Sequence, residues 1–191
     1  MNPQLEAYRQ QFEQIIQDAK DLVQGLTEEE FNWRPAAGQW SIEECLAHLT
    51  MVGGAVADLV EKAIEEGRTR DLTGSAAFEA SALERLLFRE TEPPVRHATR
   101  SPKRFEPVHN QPLTGIMPTF FHVQRRFLLL LERADGLDLR RVKVPTPVVR
   151  WFRLSLGSTF AQAAAHERRH LAQARRVLAK LPKGVALPAT H

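Results

Sequence analysis

The sequence predicts an all-α protein built as a four-helix bundle, and three observations support this fold class. Four long segments repeat apolar residues at intervals of three and four, the spacing of one helix face. Two capping boxes, Thr27 with Glu30 and Ser41 with Glu44, mark helix starts. The chain has 191 residues and is 43% hydrophobic, which is enough for one sizeable core. We therefore expect a single domain over residues 1–191.

The first predicted helix runs from Pro3 to about Leu26, where apolar residues recur among Gln, Glu, Asp and Lys. A short helical turn over 28–33 follows it. This turn stops before Pro35, because a proline disfavours helical geometry in the residue that precedes it.

The second predicted helix begins at the Ser41 cap and ends near Gly67. Trp40 precedes the cap, where a large apolar residue can pack on Cys45 as a hydrophobic staple. His48 falls on the apolar stripe of this helix, so we expect its imidazole to point inward.

The connection over 68–117 has the least regular pattern in the chain. A helix over 76–89 is weakly indicated, and five prolines follow it. A connection of this length either crosses a bundle or shapes a site, and we expect it to wall part of a substrate pocket. Nothing periodic orients His97 or His109, which we interpret as surface loop residues, and His122 falls on a polar helix face.

The third long helix is predicted to begin at Pro118, since proline suits the first helical position, and to end at Gly136. Residues 137–153 contain two prolines and a short apolar run. We interpret them as a loop that packs Trp151 and Phe152 over one end of the bundle.

The last predicted helix spans Ser158 to Leu181, which no Gly or Pro interrupts, and residues 182–191 form an extended tail. His166 and His170 lie four positions apart on its apolar face. Residues four apart stand one above the other on a helix, so these two imidazoles can hold one metal ion.

A third ligand is needed, because a lone inward histidine is most often a hydrogen-bonded core residue. His48 can supply it if the second and last helices are neighbours with facing stripes, as a four-helix bundle allows. The segment from His166 to His170 also matches the H-E-x-x-H pattern of metalloproteases, with Glu167 as general base. That alternative is weaker, since no acidic residue and no histidine except His191 follows His170.

Four short motifs occur in order along the chain: Trp33-x-Pro35, Trp40-Ser41-Ile42-x-Glu44-x-Leu46-x-His48-Leu49, Phe105-Glu106-Pro107 and His166-x-x-x-His170-x-x-Gln173. Together they resemble the motifs of the DinB-like (YfiT-type) metalloenzyme superfamily. The resemblance extends from about residue 5 to residue 181.

This resemblance implies a four-helix bundle with a long crossover between the second and third helices. It also implies one divalent ion, nickel, zinc or iron, held by His48, His166 and His170. Family members with assigned activities include bacillithiol- or mycothiol-dependent thiol transferases, a mycothiol-dependent maleylpyruvate isomerase and metal-dependent hydrolases. The chain departs from the family at Cys45, where an aliphatic residue is usual, and Glu167 is not a fixed family feature.

Three neutral imidazoles leave a coordination position open, as in catalytic sites, where water or a thiol becomes nucleophilic near neutral pH. We therefore predict hydrolase-like or thiol-transferase-like chemistry on a small molecule, with a low-molecular-weight thiol as a candidate partner. Gln173 is expected either to donate a hydrogen bond to a ligand, water or substrate, or only to pack. Glu167 lies about 100° around the helix from His166 and is the weaker candidate. Cys45 is interpreted as a small buried residue rather than a fourth ligand.

Charge is unevenly distributed, although the net charge is only +3. Residues 1–66 carry 4 basic and 13 acidic groups, whereas residues 67–191 carry 22 and 10. This split favours acidic helices packed on basic ones, in the fold or in a homodimer, over contact with nucleic acid. The basic residues expected on the outward side of the last helix, with no aromatic residues between them to stack bases, are Arg168, Arg169, Arg175, Arg176 and Lys180.

The remaining features suggest a cytoplasmic protein that does not bind membranes. Cys45 is the only cysteine, the N-terminus lacks the pattern of a secretory signal, and no apolar run approaches the length of a membrane span. Two other functions stay open: a helical interaction protein with a structural or relict metal site, and, less favoured, a nucleic-acid-binding protein.

Overall fold

The computed structural model of the protein describes residues 2–82, 84–85, 101–149 and 151–182. Four long helices confirm the predicted bundle, and one short hairpin accompanies them. The elements in chain order are α1 (Pro3–Val23), α2 (Glu28–Asn32), α3 (Ile42–Thr69), a 3-10 turn (Lys103–Phe105), α4 (Leu113–Ala134), β1 (Lys143–Pro145), β2 (Arg153–Ser155) and α5 (Leu156–Leu178). The crossover between α3 and α4 joins the second and third long helices.

The four long helices pack as a square. Helix α3 contacts α4 and α5, and α1 contacts the same two helices, so α1 and α3 lie on one diagonal. Five phenylalanines fill the centre with less than 2% exposure, and the rings of Phe12 and Phe127 stack 4.7 Å apart. Within the described part of the chain, none of these helices is both long and apolar enough to cross a membrane.

The start of α3 is fixed by its own sequence. The Ser41 side chain accepts a hydrogen bond from the Glu44 amide at 3.0 Å, and the Ser41 amide donates to the Glu44 carboxylate at 2.9 Å. This reciprocal cap satisfies two amides that the helix itself leaves unpaired. Because the cap sets where α3 begins, it also sets the face on which His48 lies.

Helix α4 begins at Leu113, five residues before the predicted start at Pro118. The Glu28 carboxylate accepts a hydrogen bond from the Leu113 amide at 2.9 Å, which caps the helix from a distant element. Ile116 and Met117 are buried, while Pro118 is exposed in the second turn. Burial of two large apolar side chains offsets the one helical hydrogen bond that the proline removes.

The segment after α4 is a two-stranded hairpin rather than the predicted loop, with Val144 of β1 opposite Leu154 of β2. The expectation that Trp151 packs over the bundle end is wrong, since this side chain is 84% exposed. Leu139 and Val142 join the core in its place. The paired residues Val144 and Leu154 are also buried, whereas Trp151 lies in the connection between the strands.

The weakly indicated helix over 76–89 is not formed in its first part, since residues 76–81 are not helical. Both backbone groups of Phe78 are bonded to the Gln4 side chain, at 3.0 and 3.1 Å, so they are unavailable to a helix. Residues 86–89 lie outside the described residues, as does His97.

Acidic and basic residues of the two halves of the sequence pair across neighbouring helices at the surface of the bundle. Arg126 of α4 lies 2.8 Å from Asp58 of α3, and Arg133 of α4 also pairs with acids of α3. Arg175 of α5 lies 2.8 Å from Asp18 of α1. Much of the charge asymmetry is therefore matched within one chain, as one of the two sequence interpretations expects.

We predict that Gly53→Ala destabilises the protein, whereas Gly54→Ala does not. A Cβ at Gly53 would lie 2.8 Å from Val123 Cγ1, while a Cβ at Gly54 would be in ordinary contact at 4.0 Å. Overpacking of a stiff valine costs about 1–3 kcal/mol, which exceeds the roughly 1 kcal/mol that alanine gains in a helix. Thermal melts of both variants test this. Equal stability of the two would show that α3 and α4 can move apart freely here.

Candidate metal centre

Helices α3 and α5 bring the three predicted histidines together. One nitrogen from each of His48, His166 and His170 lies within 4.8 Å of the other two. The shortest separation is 3.2 Å, between Nε2 of His48 and Nε2 of His166. His48 and His170 are only 4% and 8% exposed, and His166 is half-buried at the wall of a cavity. This arrangement requires that the apolar stripes of α3 and α5 face each other, since His48 and His166 are 118 residues apart in sequence.

Two of the imidazoles are oriented through their outer nitrogens. Nδ1 of His48 lies 2.7 Å from the Phe105 carbonyl oxygen, and Nδ1 of His170 lies 3.1 Å from Gln173 Oε1. Both oxygens can only accept, so each Nδ1 carries the hydrogen and each Nε2 keeps its lone pair. Gln173 therefore contacts His170 as an acceptor, not as the predicted donor.

Sequence reasoning missed the Phe105 carbonyl, because a backbone oxygen leaves no side-chain signature. The one available signal was the Phe105-Glu106-Pro107 motif. The 3-10 turn that ends at Phe105 carries this oxygen from the crossover to α3.

Trp40 covers one side of the imidazole cluster. Its ring centroid lies 4.9 Å from that of His48 and 5.6 Å from that of His170, with the second pair stacked. The sequence placed Trp40 as a staple on Cys45 and did not foresee this contact. An indole in van der Waals contact with two imidazoles restricts their rotation and excludes water from that side.

Cys45 lies one turn before His48 and is fully buried. Burial raises the pKa of its thiol well above the usual range, and the neighbouring Glu44 carboxylate adds to the shift. Among the described residues, the group that can share one ion contains only the three histidines. The structure thus places Cys45 as a small core residue.

Burial lowers the pKa of all three imidazoles below the ordinary value of 6.5. The neighbouring imidazoles lower the pKa of His166 and His170 further, and the Arg169 guanidinium acts on all three rings in the same direction. The rings are therefore neutral at neutral pH, the state in which a nitrogen lone pair can bind a metal.

Glu167 lies on another side of α5, in the core of the bundle. It is 2% exposed, and its Oε1 would be 3.5 Å from a Cβ at Gly53 on α3. Burial raises the pKa of this carboxyl to about 8, although the Gln124 side chain lowers it in part. Glu167 is thus directed between helices and does not belong to the histidine cluster.

The other histidines do not join the cluster. His122 is exposed on α4, as predicted. His109 is an exposed loop residue, also as predicted, and its Nδ1 lies 3.6 Å from the Glu44 carboxylate. His97 and His191 lie outside the described residues.

A cavity of about 990 Å³ opens beside the three imidazoles. Trp40 forms part of its wall, and the crossover contributes Pro102 and Phe105, as expected of a long connection that shapes a site. A volume of this size suits a small organic molecule rather than a folded partner.

Comparison with known proteins identifies similar chains. The model of the DinB superfamily matches residues 11–174. The protein YuaE of Bacillus subtilis (strain 168), described as uncharacterized, is 24% identical over 162 residues, which cover 84% of this chain and 91% of YuaE. The solved structure of YfiT from Bacillus subtilis superimposes with a TM-score of 0.61 at 13% identity and covers 95% of this chain and 89% of that one. YfiT is described as a probable metal-dependent hydrolase with an unusual four-helix bundle topology.

In chelator-treated protein, we predict that a fall in pH lowers the stability of the wild type more than that of a His166→Asn variant. The unfolded chain takes up a proton on this imidazole below pH 6.5, whereas the folded site keeps it neutral, so folding loses stability as the pH falls. The unfolding free energy of the wild type, relative to that of the His166→Asn variant, should fall by about 1.4 kcal/mol per pH unit below 6.5. Urea denaturation at several pH values measures it. A constant difference would mean that the folded site protonates as readily as the unfolded chain.

Proposed function

This chain belongs to the DinB superfamily, and from that premise we propose that it is a metal-dependent enzyme in which His48, His166 and His170 hold one divalent ion. The convergence of three neutral imidazoles at one point beside a cavity carries this proposal. The solved relative described as a probable metal-dependent hydrolase supports it.

The donor set fits such an ion. The inner nitrogens of His48 and His170 keep lone pairs that can bind an ion, because Phe105 and Gln173 accept from the outer nitrogens. Structural zinc sites use four protein ligands, and catalytic sites use three. The described residues provide three, which supports a position open to substrate.

The chemistry follows from this ligand count. Zinc, nickel or iron bound there supplies a Lewis acid that makes water or a thiol nucleophilic near neutral pH. The chain itself holds the imidazoles in place, excludes water with Trp40 and binds the substrate in the adjoining cavity. We place hydrolase-like chemistry on a small molecule first, because the similar protein YfiT is described as a probable metal-dependent hydrolase, and thiol-transferase-like chemistry second. Both need the same open position.

The two rival functions receive less support. A purely structural ion would not need a cavity of about 990 Å³ beside it. A nucleic-acid-binding surface would need many basic residues that are not paired with acids, whereas Arg126, Arg133 and Arg175 each pair with an acid of a neighbouring helix.

We expect His48→Ala, His166→Ala and His170→Ala each to lose the bound ion while the bundle stays folded. The helices are held by their apolar stripes, so far-ultraviolet circular dichroism should hardly change. His122→Ala is the matched control, because that side chain is exposed on α4. Elemental analysis of untagged protein measures the metal. Retention of a full complement by all three variants would falsify the assignment, and unfolding on metal loss would indicate a structural ion instead.

Gln173→Ala should weaken metal affinity by about 10–100-fold, whereas Gln173→Glu should preserve it. Alanine removes the acceptor for His170 Nδ1, which lies 3.1 Å from Gln173 Oε1, and glutamate retains one. Titration against a competing chelator gives the affinities. If glutamate were as weak as alanine, Gln173 would not act by orienting His170.

A further inference from the structure

The basic residues of α5 form two rows, although the sequence predicted that all of them point outward. Arg175 lies 2.8 Å from Asp18, and Arg168 donates a hydrogen bond to Gln11 at 2.8 Å, so this row faces α1. The second row lines the cavity and consists of Arg169 and Arg176, and Lys180, two residues beyond the end of α5, lines the same cavity. Adjacent positions on a helix diverge by about 100°, so neighbouring arginines face different surroundings.

The described residues that line the cavity are therefore predominantly cationic. Glu106 is the one carboxylate among the described residues that line it, against three cationic side chains. Within the described part of the chain, neither Arg176 nor Lys180 has an ion-pair partner, in contrast to Arg175. Two cations without a counter-ion at the wall of a concave site attract an anionic ligand.

Other residues that line the cavity are apolar. Trp40 and Phe105 contribute aromatic rings, and Pro35, Val52 and Val148 add aliphatic surface. The three histidines line the same cavity. A ligand that contacts both the cationic and the apolar residues must carry an anionic group and an apolar part.

We infer that the cavity binds an elongated organic anion, whose carboxylate or phosphate group contacts Arg176 and Lys180 while its reacting end lies at the three histidines. The inference rests on the metal site proposed above and adds the substrate class. Arg176 lies six residues beyond His170, which is about 9 Å along the helix axis, so the two ends of the ligand are separated by roughly that distance.

Matched probes test this inference. Suberic acid monohydroxamate has a metal-binding group at one end and a carboxylate at the other. Its primary amide has the same length without the charge, and a phosphonate-ended analogue represents phosphate esters. Each is titrated calorimetrically into zinc-loaded and into chelator-treated protein, at low and at physiological salt.

The carboxylate probe should bind about tenfold more tightly than the amide at low salt, because an anionic acceptor pairs with the cations. Salt should reduce this preference. It should disappear in the variant with Arg176→Gln and Lys180→Gln and persist in Arg175→Gln, whose arginine faces α1. The relative affinity of the phosphonate then identifies which anion the site prefers.

Two results would overturn the inference: equal binding of the carboxylate and amide probes, or equal loss of preference in Arg175→Gln and in the cavity variant. Failure of the metal site gives a different result, in which the protein retains no zinc. The comparison of probes on chelator-treated protein then still decides whether the anion subsite exists.

Discussion

The close approach of three helices at Gly53 holds the two parts of the histidine cluster in register. At this position α3 has no side chain, so Val123 of α4 packs directly on its backbone and Glu167 of α5 lies beside it. His48 is five residues earlier on α3, and His166 precedes Glu167 on α5. A displacement of α3 by one side-chain layer would therefore separate His48 from the other two imidazoles, because rigid helices transmit the shift.

Burial of polar groups at and near the histidine cluster lowers the stability of the fold. The imidazoles of His48 and His170 and the carboxyl of Glu167 are buried, and the Glu167 Oε2 atom has no hydrogen-bond partner among the described residues. Buried polar groups without full partners destabilise a core, and natural proteins retain them chiefly at functional sites. A bound ion that prefers the folded chain would offset part of this cost.

The helices bring the three histidines together, and the crossover and the loop before α3 orient two of their imidazoles. Phe105 orients His48 through a backbone carbonyl, and Trp40 restricts two imidazoles. Neither contact is needed to form a bundle, since the apolar stripes already define one. The same two elements contribute Trp40 and Phe105 to the lining of the cavity, so the orientation of the candidate ligands and the shape of the binding space are coupled.

The sequence by itself determined the helices, the caps at Thr27 and Ser41, and the inward faces of His48, His166 and His170, because periodicity and capping act over a few residues. Only the tertiary structure decided where α4 begins, that residues 143–145 pair with residues 153–155, and which carbonyl orients His48. It also separated Arg176 from Arg175. These features depend on groups distant in sequence, such as Glu28 with Leu113 or Asp18 with Arg175. Local sequence patterns do not predict such pairings, because these contacts form only when the helices pack.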